Sequence, residues 1–556
     1  MDSATADSAT AGPEERSDEL EWQFDAHDLR VVHQWLAALP SRSFGEGQPT
    51  FTVLAKPPRR LVDRYMDTED WRIARSGLVL RTRRCGRRVE ATMKDLQPAA
   101  ADGLRHRLEV TEALGARTIG ELGGDGPVGR RVAAVGGGRP LVEKFEVRTR
   151  RLPFSLRTGG VEVAEVAIDD TTVSAAPGVA ALRLRRVEVE VTTGSTAQLA
   201  PVVEHLREHC GLVPATLSKF DAGLQVSGVT LPGAPELGPT AVAPDASIGD
   251  LAAAVVRRQL GELLAHEAAT RLGEDIEALH DMRVATRRLR AAIDLFAAAL
   301  PARAQSLRRE LGWLADALGA VRDLDVHLAR LAQMTAWTAS WTGGDGELAL
   351  SPLRALLVAE RADARRALLA ALDSARRERL IAGLLALARQ GARRRPPYAT
   401  VPAVVALPTL VRERHADMVR AARRARRSGI PADYHRLRIR GKRLRYALEF
   451  AAGIYGGDTD RFVKKLTGVQ EQLGAMQDAE VAATRLFALA TTAHERTGPL
   501  PYTTVFLIGG IAERFRRESD ELRHGAARAL DALDAKAWKK LDATMSRRQN
   551  AAADHA

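Results

Sequence analysis

HDMRVATRRLR at 280–290 returns as HRLRIRGKRLR at 435–445, and LGAVRDLDV at 318–326 returns as LGAMQDAEV at 473–481. Both pairs are offset by 155 residues, so the second half of the chain holds two copies of one unit. Its Ala/Leu/Arg-rich sequence carries apolar residues at i, i+3, i+4 spacing, which predicts helices joined by short loops into two bundles. At about 100° per residue, His280, Arg283, Arg287 and Arg290 fall within about 80° of one another. Met282, Leu289, Ile293 and Phe296 take the opposite side. The second copy puts His435, Arg438, Lys442 and Arg445 at the same four positions. Arg288 flanks the first stripe; Arg440 and Arg443 flank the second.

A stripe of like charges repels itself unless acids pair with it or an anion lies along it. Asp323, Asp325, Asp478 and Glu480 could supply acids. Duplication of the stripe at fixed register favours a bound polyanion. Single-stranded nucleic acid calls for aromatic stacking platforms, which are scarce beside the stripes, and no motif of a duplex reader is evident. A bare phosphate polymer needs only cations, and the histidines can add hydrogen bonds to phosphate.

The chain has 556 residues, which predicts about three or four folding units at roughly 100–200 residues each. Its net charge is +12, but residues 1–245 carry −3 and residues 246–556 carry +15. The excess therefore sits with the duplicated stripes, where a polyanionic partner is expected. Two cysteines, Cys85 and Cys210, exclude a disulfide scaffold, and no run approaches the ~18 apolar residues of a membrane span. The polar, acidic start lacks the apolar core of a secretory leader, so a cytoplasmic protein is expected.

The first half reads differently. Glu19, Glu21 and Gln23 share one face of a period-2 alternation, as do Arg81 and Arg83, and Glu90, Thr92 and Lys94. So do Arg105, Arg107 and Glu109; Arg148 and Arg150; and Arg186, Glu188 and Glu190. Six such strands with both signs on the polar side predict a closed or nearly closed antiparallel barrel with a charged lumen. Its Arg and Lys would hold phosphate oxygens, and its carboxylates would hold Mg²⁺ or Mn²⁺.

The two halves resemble two known families. HDMRVATRRLR with WLADALGAVRDLDV, and HRLRIRGKRLRYALEF with QEQLGAMQDAEV, resemble the CHAD domain over roughly 247–540. That resemblance implies two four-helix bundles and a basic groove for inorganic polyphosphate, often at polyphosphate granules. ELEWQF at 19–24, YMDTEDWRIARSGLVLRTRR at 65–84, ATMK at 91–94, RLE at 107–109, VEVE at 187–190 and LSKF at 217–220 resemble the CYTH domain over about 17–225. This family folds as an eight-stranded triphosphate tunnel and includes triphosphatases and adenylyl cyclases. The resemblance implies metal carboxylates at Glu19 and Glu21, with Glu109, Glu188, Glu190 and Asp169 as further acids. Phosphate would be gripped by Arg81, Arg83, Lys94, Arg107, Arg148, Arg150 and Lys219. His280, Arg283, Arg287, Arg288, Arg290, His435, Arg438, Arg440, Lys442, Arg443 and Arg445 would hold polyphosphate.

Two positions depart from the CYTH pattern. Gln23 stands where ExExK has its lysine, and Thr111 where RxExE has its last carboxylate. The expected architecture is a disordered tail (1–16), an α+β tunnel domain (17–225), a linker (226–246) and an all-α domain (247–545). The helical repeats would span about 247–375 and 402–540, with breaks near 340–352 and 394–403. The expected function is metal-dependent hydrolysis of tripolyphosphate or a related triphosphate, beside polyphosphate binding. The alternative is a non-catalytic polyphosphate binder with a degenerate tunnel.

Overall fold

The computed structural model describes residues 16–553 except 40, 45–48, 97–99, 116–121, 123–125, 176–180, 232, 234, 343–345, 390–395, 497–499 and 533–534. The expected tail lies outside the described residues apart from Arg16. Two compact units divide between Pro235 and Glu236.

The strands of the first unit are β1 (Arg16–Asp25), β2 (Arg42–Ser43), β3 (Thr50–Ala55), β4 (Arg59–Thr68), β5 (Leu78–Cys85), β6 (Arg88–Asp95), β7 (Leu104–Ala113), β8 (Leu141–Thr158), β9 (Val161–Ser174), β10 (Leu182–Val191) and β11 (Val213–Pro214). Eight of them run antiparallel in the order β8-β4-β5-β6-β7-β1-β10-β9, and β9 pairs back onto β8. The sheet is therefore a closed barrel without free edges along this path. Short helices are α1 (Leu29–Ala37), α2 (Arg72–Arg75), α3 (Pro127–Gly136), α4 (Thr196–Cys210) and α5 (Lys219–Val226).

The pleat explains the sequence pattern. On β1, Glu21 and Gln23 face the lumen, while Trp22 and Phe24 join an outer core with Val32 and Leu36 of α1 and Leu199, Val203 and Leu206 of α4. Helix α5 packs on β8 and β9 and brings Lys219, Phe220, Asp221 and Leu224 to the lumen. Ser218 and Asp221 form its capping box. Its Phe220 meets Tyr65 and Phe145 at ring distances of 6.0 and 5.8 Å. Gly223 is required there, because a Cβ would lie 2.1 Å from the Phe145 ring.

The second unit contains α6 (Ile248–Ala265), α7 (Glu267–Leu272), α8 (Ile276–Leu295), α9 (Ala304–Thr342), α10 (Gly346–Leu372), α11 (Ala375–Ala388), α12 (Ala403–Ser428), α13 (Pro431–Tyr455), α14 (Gly457–Arg496), α15 (Tyr502–Ala532) and α16 (Ala535–Ala553). Helices α6, α8, α9 and α11 pack as one four-helix group, and α12, α13, α14 and α16 as a second. The long α9 and α14 run on beyond these groups. Their C-terminal parts pack with α10 and α15 around Leu331, Leu353, Leu486 and Ile511, an extension the repeat did not announce. The expected break at 340–352 is narrower, since α10 begins at Gly346 and contains Pro352.

The expected linker is also shorter than 226–246. Leu231 lines the tunnel cavity. From Glu236 onward the chain is fastened to the helical unit: Arg389 donates to the Glu236 carbonyl at 3.1 Å, Arg257 to Pro239 at 3.2 Å and Arg258 to Thr240 at 2.9 Å. Low side-chain charge made this stretch read as free chain, whereas its backbone carbonyls hold it down.

Candidate functional site

The barrel encloses a cavity of about 730 Å³. Among the described residues it is lined by the cations Arg81, Arg83, Lys94, Arg105, Arg107, Arg151 and Lys219. The carboxylates are Glu19, Glu21, Glu90, Asp95, Glu109, Glu188, Glu190 and Asp221. Strand register brings them together: Glu19 lies opposite Arg107, Lys94 opposite Glu109, and Glu21 opposite Glu190.

Six of the tunnel cations are held by acids. Lys94 Nζ donates to Glu19 Oε1 at 2.7 Å and reaches Glu109 Oε2 at 2.5 Å. Arg107 pairs with Glu21 and lies 3.6 Å from Glu19. Arg83 makes a two-pronged pair with Asp63 at 2.7 and 2.8 Å, and Arg81 reaches the same carboxylate at 3.6 Å. Arg151 grips Asp169 through two bonds of 2.8 Å and also pairs with Glu188. Lys219, carried in on α5, donates to Asp169 at 2.8 Å and Glu188 at 2.9 Å.

Charge states follow from these contacts. Burial alone would raise Glu109 and Glu188. Lys94 and Arg81 instead hold Glu109 down to about 2, and Lys219 and Arg151 hold Glu188 well below the usual range. Glu21 goes the other way, pushed up to about 7 by burial and by Glu19 beside it. Glu190 is likewise raised by burial and Glu19, and has no cation within ion-pair distance among the described residues.

Three sequence expectations need correction. Arg148 and Arg150 are exposed on the outer face of β8, with Arg148 bonded to Glu146 at 2.6 Å. The inward residue is their neighbour Arg151. Asp169 does not stand open to a metal: it is completely buried and saturated by Arg151 and Lys219. Sequence reading missed Arg151 and Asp63; the bidentate partner of each cation lies on a neighbouring strand, which local periodicity does not reveal.

At the two departures, Gln23 Nε2 donates to Glu21 Oε1 at 2.7 Å, while its Oε1 is buried without a partner. Thr111 exchanges a hydrogen bond with Thr92 at 3.2 Å and donates to Glu109 at 3.2 Å. A hard divalent cation requires oxygen ligands. Glu19, Glu21 and Glu190 meet that chemistry, and the raised proton affinity of Glu21 and Glu190 reflects carboxylates crowded without enough positive charge. Among the described residues no three acidic or imidazole groups converge as a ready-made metal site.

In the helical unit the stripes of α8 and α13 face one another, so equivalent positions of the two copies meet. Arg283 and Arg287 act on Lys442 and Arg438 across the gap. Compensation is sparse here. Arg283 reaches Asp323 only at 3.7 Å and Arg445 reaches Glu449 at 3.5 Å. Arg287, Arg290, Arg438 and Lys442 make no hydrogen bond or ion pair among the described residues. Arg283 lies 3.6 Å from the Cβ position of Gly319, and Arg438 lies 3.9 Å from that of Gly474. The glycine of the repeated LGA motif thus lies beside a groove arginine in each copy. His435 Nδ1 is bonded to Gln477 Oε1 at 2.9 Å, and burial followed by Arg322 lowers His280.

Arg440 and Arg443 stand apart from this cluster. Arg440 pairs with Asp417 at 3.3 Å, and Arg443 lies beside Asp294, Arg440 and Arg414. Arg288 bonds Glu449 at 2.8 Å and lies 5.7 Å from the Tyr446 ring.

Family models match residues 43–223 as a CYTH domain and residues 254–486 as a CHAD domain. The chain joins a CYTH domain to a CHAD domain. Among solved structures, the CHAD domain of the plant Ricinus communis is 29% identical, covers 53% of this chain and 96% of its own, and gives a TM-score of 0.43. PptA from Streptomyces chartreusis is 23% identical over 53% of this chain and 100% of its own, at a TM-score of 0.41. The Hippeastrum protein HpAC1, reported to have a dominant triphosphatase activity, is 17% identical over 38% of this chain and 98% of its own, at 0.29. No curated protein matches the chain. No helix among the described residues is long and apolar enough to cross a membrane.

Proposed function

We propose that the CYTH unit hydrolyses inorganic triphosphate or a related triphosphate with Mg²⁺ or Mn²⁺, and that the CHAD unit holds inorganic polyphosphate. The observation that carries this reading is the contrast between the two sites. In the tunnel, cations and carboxylates are of nearly equal number and most are already paired; in the groove, cations outnumber acids and several stand alone. A tunnel in that state gains little from an anion alone, because each cation must leave a carboxylate to meet it. A divalent cation that takes up the released carboxylates removes that cost. The groove needs no such help.

Glu19, Glu21 and Glu190 would hold the metal, which when bound would neutralise phosphoryl charge and lower the pKa of water. Arg81, Arg83, Lys94, Arg107, Arg151 and Lys219 would turn from their carboxylates to the phosphoryl oxygens and stabilise charge building on the leaving phosphate. A lumen carboxylate would take the proton of the attacking water. Attachment to polyphosphate, and with it a place at cytoplasmic polyphosphate granules, belongs to the same proposal. The second reading, a tunnel that binds without turnover, is favoured by Gln23, whose neutral amide replaces a cation beside Glu21. Phosphate release from tripolyphosphate with Mg²⁺ or Mn²⁺ decides between them. Release that Glu21→Ala abolishes supports the enzyme; release no faster in the wild type than in Glu21→Ala leaves only the binding reading.

A further inference from the structure

The two facing stripes are matched except where the first copy has Arg287 and the second has Lys442. An arginine there is permanently charged, whereas a lysine amine can be emptied by its surroundings. Lys442 makes no hydrogen bond or ion pair among the described residues. Facing it are Arg283 and Arg287 from α8, and Arg438 and Arg445 from its own helix. From α14, Asp478 acts on Arg438 and Arg283. The charged groups of α12 meet α13 on its other side, Asp417 at Arg440 and Arg424 at Asp433. Burial, then these four arginines, bring the Lys442 amine down to about 7.

A second observation lies at the adjacent residue. Gln470 of α14 is buried, and neither end of its amide has a partner. Its Nε2 lies 3.4 Å from the Cβ position of Gly441, the residue before Lys442 and about 40° around the helix from Arg445. The equivalent residue in the first copy is Ala315. Arg438 Nε is also buried without an acceptor. A buried amide and a buried guanidinium donor left open are costly unless a polar ligand completes them.

We propose that this floor is a phosphoryl subsite, built on Lys442 and Gln470, that takes up one proton from solvent as a phosphate chain enters it. The inference rests on the polyphosphate reading of the groove. The proton ends on Lys442 Nζ, the new ammonium faces phosphoryl oxygens, and no covalent bond forms. At pH 8 an amine with a pKa of about 7 is about nine-tenths neutral, so filling the subsite draws about 0.9 proton. By linkage, affinity then falls about eightfold between pH 7.5 and 8.5.

The test is calorimetric titration of the full chain with short-chain polyphosphate in excess EDTA, in two buffers of different ionisation heat. Wild type should take up about 0.9 proton more than Lys442→Arg at pH 8, and only wild type should show the eightfold loss with pH. Lys442→Gln supplies the same comparison if the arginine disturbs folding. Gln470→Ala should bind more weakly yet still take up the proton. Equal proton uptake in wild type and Lys442→Arg, with polymer bound by both, overturns the inference. No binding to wild type overturns the groove reading itself.

Discussion

Replacing Asp169 with alanine tests how the tunnel is held together. Asp169 is fully buried and faces two buried cations, Arg151 and Lys219, which among the described residues share Glu188 besides it. Two cations facing two carboxylates become two facing one. Stranding a buried charge costs about 3–5 kcal/mol. For a unit of this size each kcal/mol moves Tm by about 2–4 °C, so the variant should melt roughly 6–20 °C lower. The neighbouring Asp170 is the control. It points to the other side of β9 and pairs at 2.6 Å with an exposed Arg183. Its loss should shift Tm by no more than about 4 °C. Saturating tripolyphosphate should recover part of the loss in Asp169→Ala, because phosphoryl oxygens replace the missing charge. Differential scanning calorimetry reads all three. Equal shifts for the two variants would refute the reasoning, since burial would then make no difference.

Other outcomes follow from the same geometry. Arg151→Ala should weaken tripolyphosphate binding by at least about tenfold, and Arg150→Ala by less than about twofold, in equilibrium titrations with Mg²⁺. Gly223→Ala should cost about 1–3 kcal/mol by denaturant unfolding, because the new methyl strikes Phe145, and should weaken triphosphate binding as α5 and Lys219 are displaced. His415, stacked at 3.5 Å on Trp538, is lowered by burial to about 4. The unfolded chain therefore binds the proton first, and stability falls as pH drops from about 6.5 towards 4. His415→Phe should flatten that part of the pH–stability profile.

Much of the fold was legible because it is written in periodicities. The offset of 155 announced the duplicated helices, and period-2 alternation announced the barrel. Alternation says which residues share a face, but not which face turns inward. On β1 the choice is forced, because Trp22 and Phe24 need the cover of α1 and α4. On β8 both faces carry charge, so Arg148 and Arg150 looked as suitable as Arg151. Asp63 and Asp169 were unreadable as positioning residues for another reason. Their partners Arg83 and Arg151 lie 20 and 18 residues away and meet them only through strand pairing. Helix faces carry the same limit. The stripes predicted two basic surfaces, while their meeting in one groove depends on how α8 and α13 pack.

The central claim is that the tunnel is electrically paired and the groove is not. Tripolyphosphate is titrated into a variant stripped of the groove cations, with Arg283, Arg287, Arg290, Arg438, Lys442 and Arg445 each changed to alanine, first in excess EDTA and then with Mg²⁺. The variant should bind nothing in chelator and fill one site with Mg²⁺, the tunnel, while wild type retains a site in chelator through the groove. Equal binding by the variant in EDTA and in Mg²⁺ would contradict the claim.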